Sequence, residues 1–407
     1  MSDSRQRSDA RRAEAGHGAL AGVRVLDLTA HLAGPFCTMI LADMGAEVIK
    51  LERPRVGDSS RHMGDASERN AYFRYANRNK LGITLDFKSG RGRELFLALV
   101  ERVDVLVENY RPTVMPRAGL GHDTLSARNP RLIYAQLSGF GYDGPYAGRG
   151  GFDLIAQGMG GIMQVTGEPG GPPTSVGLPI CDLGTGMFAA NGILAALFER
   201  ERSGRGQRVE CSLLETAVGL SSWTSAGWLA DGIEPTRQGS RHRQNAPYQR
   251  FATADGYIMI GASGQPIWER LAHALGQPQW CEDARFRTNR ERIANREALE
   301  QALEAVLGTH GTAHWVAVCD AAGVPCGPVN DYQHLFADPQ VRHREMVVHA
   351  HDEELGRVPH IRTPIRMGSP VAVRRVAPRL GEHNAQVFAE LGVAAAELEQ
   401  LRAEGVI

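Results

Sequence analysis

Three groups of residues have types and spacings that could support chemistry, and each matches a known signature only in part. Glu52 ends a predicted strand, where a dinucleotide-binding fold places its ribose-binding acid, but the first strand–helix turn lacks the GxGxxG pattern. His310 and His314 stand four residues apart, as two metal ligands on one helix face would, without a carboxylate pattern around them. Cys319 and Cys326 have no partnering histidines at a zinc spacing. We therefore expect neither a nicotinamide cofactor nor a metal.

Other common catalytic signatures are also missing from the sequence. There is no GxSxG elbow, HExxH or EF-hand loop, and FKSGRG places its lysine and serine before the glycines, unlike a Walker P-loop. A long stretch rich in glycine and proline, Gly139–Gly186, is the most unusual feature. A loop region of this length inside a compact domain is usually functional, so we expect it to contribute to the active site.

The elements that must position such a site alternate between strands and helices. The predicted strands cover residues 23–29, 47–52, 82–87, 104–110 and 132–140, with helices at 37–45 and 92–103 between them. A strand, a short helix and a strand within about thirty residues form a βαβ unit, whose strands pair in parallel. The first half of the sequence therefore predicts an open α/β sheet, which would bind ligands at the loops that follow the carboxyl ends of its strands.

Composition excludes several classes of partner. The 407 residues carry 45 Lys and Arg against 46 Asp and Glu, so no bulk basic field exists for nucleic acid or an anionic membrane. We found no apolar run of the ~18 residues that a membrane span needs. The six cysteines are scattered, which fits a reducing, cytoplasmic setting.

Eight ordered segments together resemble the class III CoA-transferase family of the formyl-CoA transferase and carnitine CoA-transferase type, over about Leu20 to Ile407. They read LAGVRVLDLT…LAGPF, LADMGAEVIKLERPRVGD, NRNK…TLDFKS, VENYRPTVMPRAGLG, SGFGYDGPYAGRGGFDLIAQ, LPICDLGTGM, GVPCGPVND and LGEHNAQVF. Within this family, the dicarboxylate-using succinyl-CoA:glutarate branch is the most similar to two segments of the chain, GPPTSVGLPICDLGTG and NAPYQRFATADGYIMIGA.

The resemblance implies transfer of CoA from an acyl-CoA, such as succinyl-CoA, to a free carboxylic acid. It places the family's nucleophile on Asp182, where a carboxylate can attack the thioester to give a mixed anhydride and then an aspartyl-CoA intermediate. Coenzyme A would be part of the substrate, with no permanently bound cofactor. By sequence alone, Asp182 reads more readily as the cap of a helix that starts near Gly184.

The resemblance also implies a set of CoA contacts, most of them at predicted strand ends. They fall on Leu32, Ala33, Arg53, Leu85, Asp86, Phe87, Lys88, Asn109, Arg117, Gly150 and Phe152. Among them, Arg53, Lys88 and Arg117 are the candidates for binding the CoA phosphates.

The architecture implied by the resemblance is a large α/β domain, Rossmann-like, with an open parallel sheet and a smaller α+β domain inserted into it. We predict a disordered tail at 1–19, the first part of the large CoA-binding domain at 20–224, the small domain at 225–330 and a return to the large domain at 331–407. Family members form interlocked homodimers, which we expect here.

Two departures from the family pattern bear on specificity. Many members have glutamine where this chain has Leu32, and the glycine-rich lid loop is reduced to GASGQP, Gly261–Pro266. An acyl-CoA racemase of the same superfamily is the alternative function, but it needs a histidine base where Phe152 stands. A non-catalytic CoA-binding protein is the third reading, and it would not need Asp182 in its glycine-rich setting.

Overall fold

The computed structural model describes residues 18–64, 70–369 and 371–407, so the predicted tail lies outside the described residues except for its last two positions. The chain forms two compact units. The larger comprises the described residues up to Ile162 together with Ser175–Ala226 and Gln340–Ile407, and the smaller comprises Met163–Thr174 and Gly227–Pro339. This division differs from the predicted domain boundaries by the segments 163–174, 225–226 and 331–339.

The larger unit is built on a parallel sheet. Its strands are β1 (Arg24–Asp27), β2 (Glu47–Glu52), β3 (Lys80–Thr84), β4 (Val105–Glu108), β5 (Ile133–Ser138) and β6 (Arg208–Ser212). They lie in the order β3-β2-β1-β4-β5-β6, and every neighbouring pair is parallel. The strand order reverses between β1 and β4, which is where an open α/β sheet binds its ligand. The predicted α/β fold with an open parallel sheet is confirmed.

Helices follow most of these strands. Up to residue 231 they are α1 (Ala33–Asp43), α2 (Ala71–Asn77), α3 (Gly90–Val100), α4 (Val114–Arg117), α5 (His122–Arg128), α6 (Asp153–Met159), α7 (Ile162–Val165), α8 (Ile180–Ser203), α9 (Leu213–Leu220) and α10 (Ser222–Asp231). The remaining helices are α11 (Gln265–Ala274), α12 (Asn289–Ala294), α13 (Arg296–Leu307), α14 (Thr312–Ala321), α15 (Tyr332–Ala337), α16 (Pro339–His343), α17 (Asn384–Ala389) and α18 (Ala395–Ala403).

The parallel sheet is buried on both faces because its strands are continuous apolar runs. One face packs against α1 and α8 through a cluster that includes Val25, Val48, Val105 and Ile133. The other packs against α3, α17 and α18 through Leu26, Ile49, Ile83 and Leu106. Both ends of the described chain therefore contribute to this unit, as α17 and α18 come from its last residues.

Buried ion pairs involve the first three strands of this sheet. Lys80 bonds Asp27 at 2.9 Å, and both side chains are fully buried. Lys50 bonds Asp58 at 2.9 Å with equally little exposure. Burial alone would raise the pKa of Asp27, but the charges of Lys80 and Lys50 outweigh it and hold that pKa below its usual range. The first pair therefore joins β3 to β1, and the second joins β2 to the loop that follows it.

A third ion pair settles the role of Glu52. Its carboxylate takes two bonds from the guanidinium of Arg61, at 2.8 and 2.6 Å, and both residues are buried. The acid at the end of β2 is therefore engaged within the protein and is not presented to a ribose.

The smaller unit contains the antiparallel sheet β7 (Tyr248–Ala252), β8 (Tyr257–Gly261) and β9 (Cys326–Pro328). Helices α11, α13 and α14 cover it around a core that includes Trp268, Phe286 and Leu303. A separate hairpin, β10 (Val347–Asp352) and β11 (Gly356–Ile361), follows α16.

The structure differs from several predicted elements. The stretch Gly139–Gly186 is not one loop, since it holds α6, α7 and the first turns of α8. Prolines and glycines predict a tight connector at Gly323–Asn330, but this segment contains β9. The sequence predicts one strand before it, at Asp255–Ala262, whereas the structure has both β7 and β8. The amphipathic pattern of residues 287–307 predicts one helix, but the structure has two, α12 and α13, with a break at Asn295.

Helix α8 is the one described helix long and apolar enough, by length and composition, to cross a membrane. The sequence reading found no such run, because glycines and polar residues interrupt it. Half of its apolar window is buried inside the protein, including Ala189, Ile193 and Leu197, which is the behaviour of a core helix.

Candidate active site

The loops after β1 and β4 are joined at the point where the strand order reverses. The Asn109 side chain accepts a hydrogen bond from the Ala30 N–H at 3.0 Å and donates one to the Ala30 carbonyl at 2.8 Å. Because both bonds run between the same two residues, the loops are held at a fixed separation. Asn109, which the resemblance predicts to contact CoA, thus shapes this edge.

The loop after β1 is positioned by buried charges. Lys50 donates to the Thr29 carbonyl at 2.8 Å, and Asp58 accepts the His31 N–H at 3.1 Å. His31 has a φ of 68°, a left-handed conformation that needs such support in a non-glycine residue. The next residue, Leu32, is the N-cap of α1 and offers no side-chain oxygen to it. The first turn of α1 therefore receives no side-chain cap from the described residues.

Helix α8 lies against the start of α1 at a glycine. A Cβ at Gly186 would lie 2.6 Å from the Ala33 carbonyl oxygen, so only glycine permits this approach. Asp182 lies one turn before Gly186 on α8. The contact therefore brings the predicted nucleophile and the predicted CoA contacts Leu32 and Ala33 to neighbouring helix turns.

Asp182 does not cap α8. The helix begins at Ile180 and has Pro179 as its N-cap, so Asp182 lies within the first turn. The helix was expected to start near Gly184, but Gly184 already lies in its second turn. Within the described ranges, no group donates a hydrogen bond to the Asp182 carboxylate, and burial, then the negative charge of Asp153, raises its pKa to about 6.

The predicted contacts Gly150 and Phe152 reach the same edge from the other side. A Cβ at Gly139, after β5, would lie 2.6 Å from the Gly151 Cα, so the backbone of this segment is held directly against the strand end. The Phe152 ring then meets the His31 ring edge-on, with centroids 6.2 Å apart. The structure thus brings together the segments of Leu32, Asn109 and Phe152.

The three predicted phosphate contacts are exposed cations. Arg53 and Lys88 follow β2 and β3, whose ends are joined by a 2.9 Å bond from the Leu85 N–H to the Glu52 carbonyl. Arg117 ends α4, which follows β4. In the described part of the chain none of the three is engaged in an ion pair, so their charges are free to meet an anion.

Two of the predicted CoA contacts have side chains turned into the core. Leu85 and Phe87 are buried in the cluster beneath α3, so either could meet a ligand only through its backbone. The Asp86 carboxylate accepts a hydrogen bond from the Lys88 N–H at 3.0 Å, and the Asp86 N–H donates one to the Val406 carbonyl at 2.7 Å. This turn is therefore a rigid support that presents Lys88.

Asp153 is a site residue that the sequence reading missed. It is 9% exposed, and its Oδ1 accepts the N–H groups of Cys181 at 2.8 Å and Asp182 at 3.2 Å. The only local signal for it is the Asp–Gln pair at helical spacing, Asp153 and Gln157, which bond at 2.6 Å.

The exposed cations give a first testable prediction. Replacing Arg53, Lys88 or Arg117 with alanine should weaken CoA binding about three- to tenfold each, since an exposed charged contact contributes about 1 kcal/mol. Calorimetric titration of CoA measures the change. Arg205→Ala is the matched control, because Arg205 is exposed just before the amino end of β6, at the opposite edge of the sheet. Unchanged affinity in all three variants would remove these residues from the CoA site.

The chain is similar to known proteins over most of its length. A family model described as CoA-transferase family III matches residues 20–384. The chain is 38% identical to succinate–glutarate CoA-transferase of Agrobacterium fabrum, over 91% of this chain and 95% of the relative. It is 39% identical to succinyl-CoA:mesaconate CoA-transferase of Haloarcula hispanica, over 92% of this chain and 97% of the relative.

A solved structure is similar over nearly the whole chain. The crystal structure of a CAIB/BAIF family protein from Brucella suis superposes with a TM-score of 0.83 at 39% identity, covering 92% of this chain and 100% of that one. Both the sequence and the fold therefore point to one family. The chain belongs to CoA-transferase family III.

Proposed function

We propose that this enzyme moves CoA from an acyl-CoA to a free dicarboxylic acid through a covalent intermediate on Asp182. The observation that carries the proposal is the state of the Asp182 carboxylate. It is half-buried, receives no hydrogen bond from the described residues and has its pKa raised to about 6. An unbonded carboxylate of raised basicity is the form that attacks a thioester carbonyl.

The proposed reaction balances without any redox step. The Asp182 carboxylate attacks the donor thioester, the C–S bond breaks, and CoA thiolate leaves behind a mixed anhydride. The thiolate attacks the aspartyl carbonyl, which releases the donor acid and leaves an aspartyl-CoA thioester. The acceptor carboxylate then repeats both steps in reverse order and takes CoA away, so the aspartate is regenerated. The donor and the product are both thioesters, so the overall transfer exchanges groups of similar energy.

The edge of the sheet supports CoA binding in this scheme. The uncapped first turn of α1 presents backbone N–H groups, and helix N-termini favour anions. Arg53, Lys88 and Arg117 would meet the phosphates, and Asn109 would meet the ligand from the β4 loop. CoA enters and leaves as part of the substrates, so the proposal includes no resident cofactor, and it places the reaction in the cytoplasm.

The acid class is proposed from the relatives. The names of the two relatives describe transfer from or to succinate, glutarate and mesaconate, all dicarboxylic acids. We therefore propose succinyl-CoA as donor and a dicarboxylate as acceptor. A panel of acyl-CoA donors against mono- and dicarboxylic acids, with products identified by mass spectrometry, tests this. Transfer to monocarboxylic acids alone would contradict the acid class.

The acyl-CoA racemase alternative needs a histidine base at the position that Phe152 occupies. Phe152 occupies the position of the racemase histidine, is 67% exposed, and has no group that can accept a proton. Loss of α-proton stereochemistry in deuterated solvent without acyl exchange would favour the racemase over our proposal. A CoA-binding protein without activity would show neither reaction.

A homodimer is part of the proposal. Phe188 and Phe198 on α8 and Trp223 on α10 expose 45%, 68% and 85% of their surface. Burial of such large apolar side chains in a partner would favour association. Light scattering of the purified protein measures the oligomeric state, and a monomer would contradict this part.

The raised pKa of Asp182 predicts the pH profile. The neutral carboxylic acid is not a nucleophile, so we expect transfer to fall as the pH drops through about 6. An ordinary aspartate would stay ionised down to about pH 4. Initial rates between pH 4.5 and 8, with circular dichroism to confirm folding, measure the profile. Full activity at pH 5 would contradict the assigned environment of Asp182.

A further inference from the structure

We propose that Asp153 is a positioning residue for the reaction: by capping the first turn of α8 from a neighbouring helix, it leaves the Asp182 carboxylate unbonded and available to react. This inference rests on the proposed function of Asp182. It assigns a task to a residue that does not touch the reacting atoms itself.

The start of α8 lacks its own cap. Pro179 is the N-cap residue and has no side-chain oxygen, so the first-turn N–H groups need a partner from elsewhere. Asp153 supplies it, with one oxygen accepting both the Cys181 and the Asp182 N–H. Without Asp153, the acid nearest to these donors is Asp182, and aspartate in a first helical turn is drawn to such groups. The cap therefore competes with a self-bonded and unreactive form of Asp182.

The orientation of Asp153 is fixed by a second set of bonds. Its Oδ2 accepts the Gln157 amide at 2.6 Å, one helical turn further along α6. Gln157 is fully buried, and its own oxygen accepts the Val176 N–H at 2.9 Å. The segment that leads into α8 and the cap of α8 are thus held by the same two side chains.

Asp153 also acts through its charge. It is the charged neighbour that raises the pKa of Asp182, after burial, and its own hydrogen bonds come from neutral groups in the described structure. At neutral pH Asp182 is still ionised by about ten to one, so the repulsion increases basicity without removing the nucleophile. A structural cap alone would not have this effect.

Three variants of the full-length enzyme, with a fourth as a control, separate these roles. Asp153→Asn keeps an oxygen for the two N–H groups but removes the charge and the Gln157 bond. Gln157→Leu removes the same bond and keeps both the charge and the cap. Asp153→Ala removes the charge, the cap and the Gln157 bond. Asp143 is an exposed acid in the 139–151 segment, so Asp143→Asn controls for the loss of one charge. The measurements are kcat, KM for acyl-CoA and the acid limb of the pH profile, with thermal melting to confirm folding.

We expect the acid limb of Asp153→Asn to move to lower pH by about half a unit or more, because loss of the repulsion favours the ionised Asp182. The limb should stay in place in Gln157→Leu and in Asp143→Asn. In Asp153→Ala, kcat should fall about tenfold or more with KM within about threefold, since the nucleophile and not CoA binding is affected.

The inference is overturned by an unmoved acid limb in Asp153→Asn or by the parent kcat in a folded Asp153→Ala, and Asp153→Asn decides the matter if Asp153→Ala does not fold. The failure of the proposed function looks different. In that case Asp182→Asn itself would still transfer CoA in the same assay. If Asp182→Asn is inactive while Asp153→Asn keeps the parent profile, the positioning role alone is wrong.

Discussion

Replacing Asp182 with asparagine should lower kcat/KM for CoA transfer by about a thousandfold or more, as loss of a nucleophile does in enzymes that form covalent intermediates. Asparagine has nearly the same shape as aspartate, so the packing of α8 is kept while the nucleophilic oxygen is lost. CoA binding should stay within about threefold of the parent, because the predicted phosphate contacts lie on other segments. Steady-state kinetics and calorimetric titration of CoA measure the two effects.

A direct observation of the intermediate completes this test. Incubation of the parent enzyme with acyl-CoA, followed by hydroxylamine or borohydride, should modify the peptide that contains Asp182, and mass spectrometry identifies it. The asparagine variant is the matched control and should give no modified peptide. A variant that transfers CoA at the parent rate would show that the reaction proceeds without Asp182.

The second large effect concerns stability. Replacing Lys80 with methionine should destabilise the larger unit by about 3–5 kcal/mol, because it leaves the fully buried Asp27 without its nearest counter-charge. Burial lowers the pKa of Lys80 to about 8, so the ammonium is still charged at neutral pH and the pair is ionic. Lys80 also bonds the Pro35 carbonyl at 3.0 Å, so its loss should loosen the start of α1.

Urea unfolding followed by tryptophan fluorescence and circular dichroism measures this change. Arg91→Met is the matched control, since Arg91 forms ion pairs with Glu94 and Glu397 at the surface. Exposed pairs of this kind contribute about 1 kcal/mol or less. A Lys80→Met variant as stable as the control would show that other groups compensate Asp27.

The sheet could be predicted from the sequence because its strands are local patterns. The strand 47–52 was predicted with the bounds that the structure has, since an apolar run between a glycine turn and a charged turn defines it. The strand predicted at 82–87 is displaced to 80–84, because Lys80 is polar in sequence but buried by its pair with Asp27. Such a partner, 53 residues away, leaves no local trace.

Helix α6 could not be predicted for a similar reason. It is a short segment with glycines in and after it, and the residues alone read as a loop. Its place is set by packing on α9, where a Cβ at Gly160 would lie 2.3 Å from the Ala217 Cβ. Tertiary contact here outweighs weak helical propensity.

The candidate site was predicted in its residues more than in its geometry. The resemblance identified Asp182 and the exposed cations, and these stay predictions until the variants are measured. It could not indicate that Leu85 and Phe87 face the core, or that Asp153 caps α8 from 28 residues away along the chain. Motifs record which residues occur together, whereas hydrogen bonds depend on how segments meet.

The contact between Gly186 and the Ala33 carbonyl has a consequence for how this enzyme could acquire new substrates. It fixes the start of α8 against α1 by backbone alone, without using any side chain that would face an acid. If Asp182 reacts as we propose, mutations that change acceptor specificity can therefore accumulate elsewhere while its carboxylate keeps its place. A directed-evolution library for a new acceptor should vary other positions and hold position 186 constant.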